Sequence, residues 1–149
     1  MPLSRIDIVQ GKSAEYRLAI GGVVYEAMAD VLKTPKDDRF QVIAEYPADA
    51  LIADENYLGI RRTQDCVFIQ LVLNIGRTVE QEKDFYKAVA DALHARLELR
   101  PKDIFINLIE VQKENWPFWN GIAQYGGSRI IGGADDLAEA LKWTACNAT

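Results

Sequence analysis

The sequence predicts an α+β fold built from two βαβ halves in tandem, giving a four-stranded sheet with two helices on one face. Three observations carry this. The string GKSAE at 11–15 returns as GRTVE at 76–80, and PKD at 35–37 returns at 101–103 with nearly the same offset. Each half reads as strand, helix of ~20 residues, strand. A helix joining two strands of one sheet makes a parallel pair with a right-handed crossover.

The elements follow in order. Leu3–Val9 is rich in β-branched residues and reads as a strand, broken at Gly11. Ser13 suits a helix N-cap. Leu18, Val24, Tyr25, Met28, Val31 and Leu32 then recur at helical spacing until Thr34-Pro35 stops the helix. Phe40–Ala44 is the second strand. Residues 47–65 link the halves and read as loop with a short turn. Cys66–Leu73 is a continuous apolar run, as expected of a strand buried on both faces. Thr78 and Gln81 carry a capping-box signature. Phe85, Val89, Ala92, Leu93 and Leu97 form the second helical stripe, ended by Arg100-Pro101, and Ile104–Val111 is the fourth strand. Ser128–Ile131 reads as a further short strand and Asp135–Trp143 as a short helix. One layer of helices leaves the other sheet face bare, an apolar patch of roughly several hundred square ångströms that predicts self-association.

Composition bounds the function. The 149 residues fit one domain or two fused small halves, and 49% hydrophobic with 26% charged residues suits a globular protein. Seventeen basic against 22 acidic residues, net −5, argue against a general nucleic-acid binder. The single histidine, His94, and two distant cysteines, Cys66 and Cys146, make no Cys/His metal pattern. The expectation is therefore reduced thiols in a cytoplasmic protein with no metal. Arg5 and Asp7 interrupt any secretory leader, and the longest uncharged apolar run, Cys66–Gly76, is far short of the ~20 residues a membrane span needs.

No GxSxG, HExxH, P-loop or GxGxxG string is present. His94 and the cysteines are expected to be structural. The remaining candidate is Pro2. Removal of Met1 would leave a secondary amine at the start of a strand, and an α-amino group titrates at ~7.7–8.0, close to ambient pH. Such a group needs little tuning to move protons.

Four strings stand in a telling order: Met1-Pro2-Leu3, Asp38-Arg39-Phe40-Gln41, Gly76-Arg77-Thr78 and Asn115–Gly121. Together with the tandem repeat they resemble the tautomerase superfamily over about residues 2–125. The similarity is greatest to the malonate semialdehyde decarboxylase group, whose chains fuse two 4-oxalocrotonate tautomerase-like units and assemble as trimers. The resemblance implies a homotrimer without cofactor, with residues 1–125 as the tautomerase-like domain (halves about 1–46 and 66–111). Residues 126–149, which lie outside it, are expected to form a C-terminal extension that packs across the subunit boundary. It implies Pro2 as general acid or base, Asp38 as the carboxylate near its amine, and Arg77 as the ligand of a substrate carboxylate. A guanidinium suits that last task because it binds a carboxylate with two parallel hydrogen bonds. Trp116 and Phe118 would wall the site.

The sequence also departs from the pattern. Ile75 stands where the decarboxylase group has a second arginine, and Pro117 and Trp119 replace small residues. Ile75 therefore joins the substrate-binding positions, and Arg39, Arg61 or Arg62 are candidates to supply the missing cation. The implied function is an enzyme acting on a small oxo acid, decarboxylase-like with keto–enol tautomerase activity. The alternative is a non-catalytic trimeric scaffold or small-acid-binding protein that kept the fold.

Overall fold

One long strand from each half forms the centre of the sheet, and their pairing organises everything else. The computed structural model describes residues 2–119 and 122–123. Strands β1 (Pro2–Val9), β2 (Phe40–Tyr46), β3 (Val67–Asn74) and β4 (Ile104–Val111) form one sheet in the order β2-β1-β3-β4. Helix α1 (Ala14–Asp30) joins β1 to β2, and α2 (Val79–Leu97) joins β3 to β4. The chain divides into two compact units, residues 1–110 and 111–149. In the second, a single turn at Lys113–Asn115 leads into the antiparallel pair β5 (Pro117–Trp119) and β6 (Ile122–Ala123). The expected strand at 128–131, the helix at 135–143, Cys146 and the 126–149 extension lie outside the described residues.

The β1–β2 pair is parallel, with Leu3 opposite Phe40 and Val9 opposite Tyr46. The β1–β3 pair is antiparallel, with Pro2 opposite Leu73 and Asp7 opposite Phe68. Side chains on β3 and β4 meet in rising order: the Phe68 and Phe105 rings lie 5.5 Å apart, and Gln70 Nε2 donates to Asn107 Oδ1 at 3.5 Å. That order means a second parallel pair, as a βαβ crossover requires. Two parallel pairs joined antiparallel place equivalent residues of the halves at opposite ends of the sheet. Pro2 and Val67, equivalent in the repeat, each open a central strand.

Both helices cover one sheet face and pack on each other. Pro2, Ser4, Ile6 and Ile8 point inward from β1, and Val67, Ile69, Leu71 and Leu73 from β3. They meet Ile20, Val24 and Met28 of α1 and Phe85, Val89 and Leu93 of α2 in a sealed core. Burying side chains of this size contributes about 1.5–3 kcal/mol each.

Two sequence expectations are corrected here. The apolar run through β3 is not buried on both faces within the chain: Phe68, Gln70, Val72 and Asn74 alternate with the core residues and stay half-covered. They belong to the bare face, beside exposed Phe40, Val42, Phe105 and Ile109. Leu18 is not in the helical stripe either; it is 71% exposed. The buried set on α1 is Ile20, Gly21, Val23, Val24, Ala27 and Met28. This helix is apolar nearly all round, so spacing alone does not choose its face. Gly21 marks its close approach to β2, since a Cβ there would lie 3.0 Å from Ile43 Cδ1.

The helix starts form as read. Ser13 Oγ accepts from the Tyr16 N–H at 3.1 Å, and Thr78 and Gln81 close a reciprocal capping box. His94 ends up structural, its Nδ1 3.1 Å from the Leu99 carbonyl oxygen. At the sheet end where β3 begins, Asp103 is sealed at 2% exposure. Its carboxylate accepts from the Thr63 N–H at 2.7 Å and the Thr63 hydroxyl at 2.8 Å, with Arg100 at 3.5 Å. Cys66 is buried beside it, and burial, followed by the Asp103 charge, pushes its thiol pKa up. Asp103 therefore ties the 47–65 linker to the start of β4. Asp103→Ala removes the acceptor of the Thr63 N–H and hydroxyl, which water can partly replace, and is expected to lower stability by about 1–2 kcal/mol in urea unfolding.

Candidate active site

Topology, rather than sequence proximity, assembles the candidate residues. Because β1 and β2 run parallel, the start of β2 lies beside the start of β1, and Asp38, just before Phe40 in the chain, comes to the Pro2 end. Because β3 runs antiparallel, its last residues arrive at the same end. Leu73 lies opposite Pro2, and Asn74, Ile75, Gly76 and Arg77 follow directly. Pro2, Asp38, Ile75 and Arg77 therefore share one end of the sheet.

Each has its own local reason for being there. Proline is tolerated at the first residue of a strand because no ladder donor is lost. Pro2 is buried, on the inward side with Ser4, whose hydroxyl faces the Phe40 carbonyl oxygen at 3.5 Å. Asp38 is half-buried, and its N–H closes a turn onto the Pro35 carbonyl oxygen at 3.2 Å. Arg77 immediately precedes the α2 cap. Its guanidinium folds back onto the Asn74 carbonyl oxygen and makes no ion pair among the described residues. Gly76 between them has φ +120°, a conformation natural only to glycine. Asn74 Oδ1 is buried there without a hydrogen-bond partner among the described residues.

Of the candidate replacement cations, the side chains of Arg39 and Arg62 have partners within the chain. Arg39 Nε donates to Gln41 Oε1 at 2.8 Å, and its guanidinium lies 4.8 Å from the centre of the Tyr25 ring. Gln41 in turn donates to the Gly21 carbonyl oxygen at 3.0 Å, so this chain of contacts runs onto α1. Arg62 serves the linker, donating to the Asp54 and Tyr57 carbonyl oxygens at 3.3 and 3.2 Å. Arg61 presents its carbonyl oxygen to Arg100. Both precede the start of β3, at the sheet end opposite Pro2 within the chain. Ile75 is 44% exposed. In the second unit, Trp116 and Phe118 stack with ring centres 6.2 Å apart and planes 7° from parallel.

Known proteins have the same organisation. Family models described as "Tautomerase enzyme" match residues 38–119 and residues 2–61. The probable tautomerase YusQ of Bacillus subtilis (strain 168) is 35% identical over 83% of this chain and 98% of its own. The chain belongs to the tautomerase superfamily. A second Bacillus subtilis (strain 168) relative of this tautomerase, the probable tautomerase YrdN, is 26% identical over 84% of the chain and 96% of its own. Among solved structures, FG41 malonate semialdehyde decarboxylase inhibited by 3-bromopropiolate is 34% identical, with TM-score 0.76, covering 83% of this chain and 93% of its own. A fused 4-OT described as a symmetric trimer shares the fold at 22% identity and TM-score 0.70, covering 85% and 99%.

One feature of the candidate site escaped the sequence. Glu110, near the end of β4, accepts from the N–H groups of both Gly76 and Arg77 through Oε1, at 3.2 and 3.3 Å. A glutamate closing an apolar strand carries no local motif. The available signal was the repeat: Glu45, its counterpart in the first half, accepts from the Lys12 N–H at 3.2 Å. The Gly76 turn itself is testable. A Cβ at Gly76 meets nothing within 4 Å, so Gly76→Ala costs backbone strain alone. A loss of about 1–3 kcal/mol in thermal or urea unfolding is expected.

Proposed function

We propose that this tautomerase-superfamily enzyme uses the amine of Pro2, freed by removal of Met1, as general acid or base on a small oxo acid. The observation supporting this reading is the convergence of Pro2, Asp38 and Arg77 on one sheet end from three separate segments. The relation to malonate semialdehyde decarboxylase at 34% identity points to the substrate class.

The chemistry follows from the parts. Arg77, without a carboxylate partner among the described residues, binds the substrate carboxylate through two parallel hydrogen bonds and fixes its orientation against the carbonyl. Asp38 favours the charged form of a nearby amine. Cationic Pro2 then donates a hydrogen bond to the carbonyl oxygen of a 3-oxo acid. The C–C bond electrons pass toward that oxygen as carbon dioxide leaves, giving an enolate held by the Pro2 hydrogen bond, and one proton taken up on carbon completes the carbonyl product. Where Pro2 is neutral it accepts the enol hydroxyl proton and returns one to carbon, which is keto–enol tautomerisation with no net change in composition. Neither route calls for a cofactor. The chain works as a cytoplasmic homotrimer, with the bare sheet face buried between subunits.

The test is incubation with 3-bromopropiolate followed by peptide mass spectrometry. The expected result is a chain lacking Met1 with an adduct on Pro2, and no adduct in Pro2→Ala. Arg77→Ala is expected to raise the inactivator concentration for half-maximal rate, KI, about 10- to 100-fold, the loss of a charge-assisted carboxylate contact. Retained Met1, or a processed but unlabelled Pro2, overturns the reading.

A further inference from the structure

We infer that Glu110 is a positioning residue for Arg77: by holding the Gly76 and Arg77 amides it fixes the backbone from which the substrate-binding guanidinium projects. The inference rests on the proposed role of Arg77 and adds a residue that neither motif nor composition singles out.

Several observations carry it. A single oxygen, Glu110 Oε1, receives two successive N–H groups, an arrangement that the φ of +120° at Gly76 makes possible. The tie spans two strands: Glu110 belongs to β4, whereas the amides follow the end of β3. It therefore locks the turn to the sheet rather than to itself. The Arg77 side chain then leaves a backbone fixed on one side by Glu110 and on the other by the Thr78 cap of α2. Occupied by the amides, the nearby carboxylate makes no ion pair with the guanidinium, so the arginine charge is left to a ligand.

The repeat shows what this device does without a site beside it. Glu45 holds the Lys12 N–H at 3.2 Å after Gly11, itself at φ +99°, and also pairs with Arg17 at 2.9 Å. Residue for residue, Glu45, Gly11 and Lys12 are the first-half counterparts of Glu110, Gly76 and Arg77. The same tie thus occurs at both sheet ends, but only one lies at the Pro2 end. Glu45 supplies the control for a purely structural effect.

Signs decide between positioning and plain electrostatics. Removing a negative charge near an anion site strengthens anion binding, whereas freeing the Arg77 backbone weakens it. The probe is 3-bromopropiolate, with KI and the limiting inactivation rate followed separately by mass spectrometry of the Pro2 peptide. Glu110→Ala is expected to raise KI about fivefold with the limiting rate within twofold. Glu110→Gln, which keeps an acceptor oxygen and loses the charge, is expected to restore KI to within twofold. Glu45→Ala lowers the melting temperature comparably and leaves KI unchanged. In an Arg77→Ala background, Glu110→Ala adds nothing further to KI. Should Glu110→Ala fold poorly, Glu110→Asp withdraws the oxygen by one methylene while keeping the charge, and is expected to raise KI as well. An unchanged or lowered KI in Glu110→Ala, while Arg77→Ala still raises it, overturns this inference alone. A KI insensitive to Arg77→Ala, or an unlabelled parent enzyme, overturns the proposed function and this inference with it.

Discussion

The antiparallel pairing of β1 with β3 is the constraint on which the rest of the molecule depends. It places Pro2 opposite Leu73 and so carries the β3–α2 turn to the start of the chain. The parallel β1–β2 pair brings Asp38 to the same end. No local sequence preference makes these groups neighbours, since they come from positions 2, 38 and 77. The hydrophobic alternation that buries Ile6, Ile8, Ile69 and Leu71 fixes the register. A one-residue slip would turn each strand's inner set to the bare face. The same apolar pattern that stabilises the core therefore sets the position of the candidate site.

Charge is distributed with equal economy. Asp103 is sealed by Thr63, Glu45 is held by Lys12 and Arg17, and Glu110 by two amides. Arg39 lies along α1 through Gln41 and Tyr25, and Arg62 closes the linker. At the Pro2 end, the Arg77 guanidinium has only a carbonyl oxygen as partner among the described residues. A guanidinium in that state retains bonding capacity for an incoming anion, because it has five donors.

Much of this was legible in the sequence, for reasons that differ by element. The tandem repeat exposed both halves because duplicated turns keep their glycines and caps: Gly11 and Ser13 recur as Gly76 and Thr78. The boundaries of α2 could be read because its caps and apolar stripe agree. The face of α1 could not, since Leu18 is as apolar as the residues that are buried. The half-covered second face of β3 was misread because an apolar run looks alike whether it packs within the chain or lies open. Pro2 and Arg77 were identified by strings resembling a known family, whereas Glu110 acts across two strands and left no string to find. Its counterpart Glu45 was visible only to a comparison of the halves residue by residue.

The two halves also differ at the residue that opens each central strand. Val67 occupies the place of Pro2 in the second half, yet its nitrogen is a peptide amide and its side chain is buried in the core. Cutting and rejoining the chain so that it began at Val67 would create a new amine at that end. It would emerge beside an Asp103 already saturated by Thr63 and a buried Cys66. The second half thus has no terminal amine, and the acid beside Val67 already has its partners. A change of chain connectivity alone would therefore not build a second copy of the proposed site.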